Sequence, residues 1–346
     1  MTAKPNIPRM QHYLPQGYLK GFTAHGHQSK NGTLRAIDLL ERRSFGCRPK
    51  DVAKIRDYYA FESVNGGLDY RIETELFQRV DNDAATLLRR IDETRKLPTG
   101  EDWSAFCVFL AFVQVRTPQL RHANLEVAQH LFNVVSAATC RTPEAFEAFQ
   151  KQHKERTGED LGGTFEDAKQ LIESGELVAE VPQNYHIELM LHIAPKLASV
   201  MVKMTPHLMV AVGKGRFITS DAPIHCFDCN EQRRESGLVG VGWLTPEVEA
   251  TFPLTKDCCL VLTHGGKSKV FEAGDLEVAN CNLMRASMAR QYLFAPQIDV
   301  PLLWKGEVVW GESEFLEKFA EMKRTQPAMR INGGGIVQKP IHHPRR

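Results

Sequence analysis

Nowhere in its 346 residues does this chain stay apolar for the roughly 20 positions that a bilayer-spanning helix needs. It also lacks an excess of one charge: 43 Lys and Arg face 42 Asp and Glu, a formal net charge of +1. Without a whole-molecule field, charge alone favours neither an anionic membrane nor a polyanion, although a local basic groove stays open. Eight cysteines are too sparse for a disulfide scaffold. Cys107 and Cys281 fall in helical patterns, where thiols act as small buried hydrophobes. The opening MTAKPNIPRMQHY has no apolar leader core, so the cytoplasm is the expected location, with no membrane partner. There is no phosphate-binding glycine loop, since GKGRF departs from GxxxxGK[ST]. No GxSxG elbow surrounds Ser220, which argues against a serine nucleophile.

What remains is an ordinary globular composition, 42% hydrophobic and 25% charged, in a chain long enough to bury a large core. TLRAIDLLERRSFGCRP (33–49) reads as a hairpin, and DYYAFES (57–63) as a third strand. From about residue 68 the period becomes helical, with Ile72, Leu76, Val80, Leu87 and Ile91 near one face. Trp103 to about Val115 is an intensely apolar helix that Pro118 ends or kinks. Residues 141–182 are more polar and read as a helical insertion or lid, and 184–204 as another strong helix. PHLMVAVG and RFITS suggest a hairpin around KG, EATFPLT and CCLVLTH a second strand pair, and 275–295 a helix leading into a strand. The expectation is an α+β fold: a mixed or antiparallel sheet from N- and C-terminal strands, packed on a helical middle. Residues 1–300 would form one domain, and 301–346 an extension with a flexible tail.

Four constellations carry chemistry. QHYLPQGYLKGF (11–22) sets His12 and Gln16 ahead of any long apolar run; His12 suits a general base or metal ligand, or a buried hydrogen-bonding post. Gln114 and Arg116 finish the apolar helix, where a buried cation needs a partner such as Asp221, Glu75 or Asp81, or else grips a phosphate. Arg116 and His122 also have a spacing similar to the Arg–His pair of helical HEPN ribonucleases. FITSDAP ends a strand with Ser220 and Asp221, suited either to presenting a carboxylate or to capping a turn. HCFDC gathers His225, Cys226 and Cys229, half of a zinc site that Cys258, Cys259 or His264 would complete, or else plain thiols in a loop.

HYLPQGYLKGF, TLRAIDLLERRSF, DVAKIRDYY, FLAFVQVRTPQLR, FITSDAPI and FPLT, in that order, resemble a bacterial family catalogued as domain of unknown function 4238. The resemblance spans roughly residues 10–295 and carries no activity with it. Its motif falls on His12, Tyr13, Pro15, Gln16, Leu19, Phe22, Asp38, Gln114, Arg116, Ser220, Asp221 and Pro223; its acidic helix position is met by Asp81, with Glu73 or Glu75 earlier. One expectation is a metal-assisted hydrolase of phosphoesters or nucleic acid. In it His12, Gln16, Arg116 and Asp221 are catalytic, Tyr13, Gln114 and Ser220 bind substrate, and Glu75 and Asp81 hold a divalent metal. The other is a non-catalytic binding or regulatory module that uses the same residues as a structural network.

Overall fold

The computed structural model describes residues 9–29, 31–63, 66–230, 241–296 and 300–325. The chain opens with β1 (Met10–His12) and the short α1 (Gln16–Lys20), then the hairpin of β2 (Leu34–Asp38) and β3 (Arg43–Cys47). β4 (Lys54–Arg56) pairs antiparallel with β1, and β5 (Phe61–Glu62) with β6 (Leu68–Asp69). A π-helical turn, Ile72–Phe77, runs into α2 (Gln78–Thr94). After it come α3 (Gly100–Val115), α4 (Pro118–Thr139), α5 (Pro143–Thr157), α6 (Phe165–Ser174) and α7 (Gln183–Met201). β7 (Thr205–Ala211), β8 (Thr219–Ser220), β9 (His225–Asp228), β10 (Val248–Pro253), β11 (Cys258–Thr263) and β12 (Val270–Ala273) precede α8 (Asp275–Met288) and β13 (Tyr292–Ala295). β14 (Pro301–Trp304), β15 (Glu307–Trp310) and α9 (Glu312–Thr325) follow.

The architecture is α+β, as the element order implied. A mixed sheet runs β12-β7-β11-β10-β9, with only the β12–β7 pairing parallel. An antiparallel sheet runs β3-β2-β13-β8 and joins N-terminal to C-terminal strands. Alternation along the strands divides the core. Leu208, Leu260 and Leu262 face a large cluster with α2, α3 and α7, while Met209, Cys259 and Val261 face Val278 and Cys281 of α8. From Phe109 to Val113 α3 is buried on every side, as an apolar stretch must be, while Glu101, Ser104, Ala105 and Val108 leave one face of its first turns exposed. Pro118 starts α4 rather than kinking α3, because its fixed φ suits the first helical turn.

Two expectations are corrected. β7 and β8 do not form a hairpin; they belong to different sheets. Between them the backbone presses on α8, where Gly215 N–H donates to Asp275 Oδ1 at 2.7 Å and a Cβ at Gly213 would lie 2.1 Å from that oxygen. The third N-terminal strand shrinks to Phe61–Glu62, since Asp57 takes a left-handed conformation, φ 52°, and turns the chain. Beyond Pro296, β14 packs under α8, with Val300, Leu302 and Phe319 in one buried cluster. The tail expected beyond residue 325 lies outside the described residues. No helix among the described residues is long and apolar enough to cross a membrane.

Candidate functional site

The opening motif does fold back onto the TSD strand, through its tyrosines. Tyr18 is fully buried; its hydroxyl lies 2.6 Å from Thr219 Oγ1 and donates to the Pro253 carbonyl at 2.7 Å, while its ring stacks on Phe252. α1 approaches α2 so closely that a Cβ at Gly17 would lie 2.8 Å from Ala85 Cβ. Tyr13 is buried within electrostatic range of Asp221, and burial lifts its phenol well above the ordinary value.

Asp221 itself is closed off. Its Oδ1 accepts from Arg290 N–H at 2.9 Å, and Oδ2 accepts from Gln291 and Tyr292 N–H at 2.7 and 3.0 Å. The carboxylate caps the bend between α8 and β13, and burial pushes it above its usual range against those three donors. Ser220 Oγ donates to the Ala222 carbonyl at 2.8 Å and accepts from Ala222 N–H, a local turn. Asp38 does likewise for Leu40 and Glu41 N–H, and also accepts from the Gln291 side chain. Gln16 is the first residue of α1 and is exposed. His12, Gln16, Arg116 and Asp221 were expected to converge; instead Asp221 is taken up by residues 290–292, Ser220 by its own turn, and Gln16 lies exposed at the start of α1.

Around Arg116 the picture differs. It caps the C-terminus of α3 with a side chain fully shielded from solvent. Its two terminal nitrogens donate to Asp81 Oδ2 and Oδ1 at 3.1 and 2.8 Å, and its guanidinium lies 4.9 Å from the centre of the Phe77 ring. Tyr59 ties the pieces together: its hydroxyl donates to the carbonyls of His12 and Arg116 at 3.3 and 3.4 Å, and its N–H donates to Gln11 Oε1. Yet four buried polar atoms of this region have no hydrogen-bond partner among the described residues: Gln11 Nε2, His12 Nε2, Tyr58 Oη and Arg116 Nε. Buried polar groups are rarely left unpaired, so a concentration of them calls for an explanation.

Two titratable groups sit within electrostatic reach of Arg116. Burial lowers the His12 imidazole to about 4, with Lys54 and Arg116 pushing the same way against a hydrogen bond to the Lys50 backbone. The ring is thus neutral at physiological pH. Since Nε2 is unpartnered, Nδ1 is the nitrogen that meets Lys50, which leaves Nε2 as the available atom. Burial lifts the Glu73 carboxyl to about 7, opposed by Arg116 and reinforced by Asp81. Glu73 lies on the π-helical turn. Glu73 is half-buried there, within electrostatic reach of Asp81, while Glu75 is exposed.

Glu75 and Asp81 do not fit a metal-binding pair. Glu75 is exposed, and both Asp81 oxygens are taken by Arg116. No group of three His, Cys, Asp or Glu that could hold a metal ion occurs among the described residues, the HCFDC segment included. Gln114, two residues before Arg116, is half-buried. His122 is half-exposed and paired with Glu126 on α4, away from the buried Arg116 side chain, so the ribonuclease-like pair is not formed. A polar cleft of about 260 Å³ lies elsewhere, beside His25, Asp92 and Lys256. Its charges answer one another: Arg95 donates to Asp92 at 3.0 Å and to Asp257 at 3.3 Å, and Lys256 to Asp257 at 2.7 Å.

Sequence reasoning missed Gln11, Tyr58 and Tyr59 and preferred Glu75 to Glu73. The adjacent tyrosines of DYYAF and the glutamine before His12 were the available signals. No curated protein and no solved structure matches this chain. A family model described as Protein of unknown function (DUF4238) matches residues 10–297. The polar residues of the opening motif, the Arg116 helix end and the TSD strand all lie inside that match, and the chain belongs to this DUF4238 family.

Proposed function

We propose that the chain is a hydrolase of phosphoesters, with its chemistry at the Arg116 cluster. The observation that supports this reading is the set of orphaned buried polar atoms on Gln11, His12, Tyr58 and Arg116, held together by Tyr59. Donors left unpaired in a cation-rich setting suit the oxygens of an anionic ester. Glu73, divided between its acid and base forms near neutrality, is the proton carrier. It takes a proton from the attacking water as the new P–O bond forms and returns it to the alcohol as the old P–O bond breaks. Gln11 Nε2 and Tyr58 Oη donate to the ester oxygens, His12 Nε2, which carries the lone pair, accepts from the attacking water, and Asp81 holds Arg116 in place. No step is routed through a divalent metal, because Glu75 and Asp81 do not form its site.

The test is turnover of bis(p-nitrophenyl) phosphate. Wild type should hydrolyse it with a pH–rate profile that turns near pH 7, the value to which Glu73 is lifted. Glu73→Gln should lower kcat by about a hundredfold with no fall in Tm, and His12→Ala should cut kcat/KM. Equal rates for Glu73→Gln and wild type would end the reading. The rival, a non-catalytic binding or regulatory module, draws support from the fully internal bonding of Asp221, Ser220 and the Arg116–Asp81 pair. It requires that substitutions at His12 and Glu73 act only on stability.

A further inference from the structure

The chain is almost neutral as a whole, but its charge is not evenly spread. Residues 42–56, RRSFGCRPKDVAKIR, hold six basic side chains and one acidic one, so the remainder is net acidic. The segment is β3, the 3-10 turn Pro49–Asp51, and β4. Arg42, Arg43, Arg48, Lys50 and Arg56 are exposed, and Lys54 is half-buried. Arg48 pairs with Asp51, and Arg56 approaches Asp57 at 3.5 Å. Among the described residues no carboxylate forms an ion pair with Arg42, Arg43 or Lys50. β4 is the pairing partner of β1, with Lys54 directly opposite His12, and the Lys50 backbone hydrogen-bonds the His12 ring. The basic segment therefore begins at the Arg116 cluster and leads away from it.

We infer that this segment is a track for single-stranded nucleic acid, which carries the phosphodiester backbone toward His12. The inference rests on the phosphoester reading and names its substrate class. Small phosphorylated ligands call for cations converging on one point; here they are spread along the chain, from Arg42 and Arg43 at the start of β3 through Arg48 and Lys50 on the turn to Lys54 and Arg56 on β4. Distributed cations match a repeating anionic chain. Phe45 packs one side against the main core, is only half-buried, lies on the same face of β3 as Arg43 and has that guanidinium 5.8 Å from its ring centre. An aromatic beside a basic path is the stacking platform that unpaired bases use and a duplex does not.

The test measures anisotropy of fluorescein-labelled oligouridylate and oligothymidylate at low ionic strength, with wild type and with the triple variant Arg42→Ala, Arg43→Ala, Lys50→Ala. The three side chains are exposed, and Lys50 meets His12 through its backbone, which alanine keeps, so Tm should be unchanged. The variant should bind each strand at least about tenfold more weakly, with a salt dependence shallower by about two, at ~0.7 per phosphate contact. A duplex of the same length should compete poorly, and equal binding of the two sugars would place recognition on phosphate and base. Unchanged affinity in the variant, no binding by wild type, or tighter binding of duplex overturns the track. Bis(p-nitrophenyl) phosphate hydrolysis separates the two ideas. If wild type cleaves this small ester but the variant keeps its oligonucleotide affinity, the track fails and the site stands. If the variant loses that affinity but wild type leaves the ester intact, the track stands and the hydrolase reading fails.

Discussion

Asp221 and Arg116 are both charged, both buried and both set at the ends of apolar elements, yet they differ in what is left over around them. Asp221 meets three backbone N–H groups and completes a bend, with both of its oxygens engaged. Arg116 meets one carboxylate in a two-point pair and still keeps an unpartnered Nε, with Gln11, His12 and Tyr58 equally incomplete nearby. A saturated charge is architecture. An unsaturated buried cluster either stores a penalty or awaits a ligand.

The largest effect that would test this contrast is expected from Arg116→Ala. Removing one member of a buried pair strands Asp81, and urea unfolding should show a loss of about 3–5 kcal/mol. Arg116→Met combined with Asp81→Leu should recover much of it, because no lone charge is then buried. Next comes Asp221→Ala, which orphans three backbone donors and should lower stability by about 2–3 kcal/mol, while any pH–rate profile keeps its shape. A profile that moved with Asp221 would place that residue in the chemistry and break the comparison.

Glu73→Gln is a smaller and more selective probe. The folded state raises the carboxyl from 4.5 to about 7, so the protonated form favours folding. That contribution is complete below the unfolded value and is lost as pH rises through about 7. The variant should therefore melt higher than wild type near pH 8, with the gap closing below pH 5. His12 works in the opposite sense: lowered from 6.5 to about 4, it supports the fold above 6.5 and withdraws that support as pH falls through 4. His12→Asn should flatten the acid limb of the Tm curve. Smallest of all, Gln16→Ala at an exposed position should change stability by less than about 0.5 kcal/mol and leave turnover as it was.

Local pattern was enough for much of the architecture. The β2–β3 hairpin, the all-apolar α3, the β10–β11 pair and the α8–β13 unit follow from periods of two and 3.6 residues and from turn residues, which act over short distances. Arg116 could be expected to seek a carboxylate, and Asp81 was among those named, since burying an unpaired cation is costly. Which acid answered was not readable. Glu73 rather than Glu75 came within reach of Arg116 and Asp81, on a π turn that no propensity rule announces.

Composition and periodicity determined that this chain would bury a large α+β core and that its few polar intrusions would need partners. Only the tertiary structure decided that Asp221 would be closed by residues 290–292, Arg116 by Asp81, and that His12 would lie beside a basic strand. The reason is physical: hydrophobic pattern is summed locally along each element, whereas a buried charge is satisfied by whichever group the packing of distant elements brings within three ångströms.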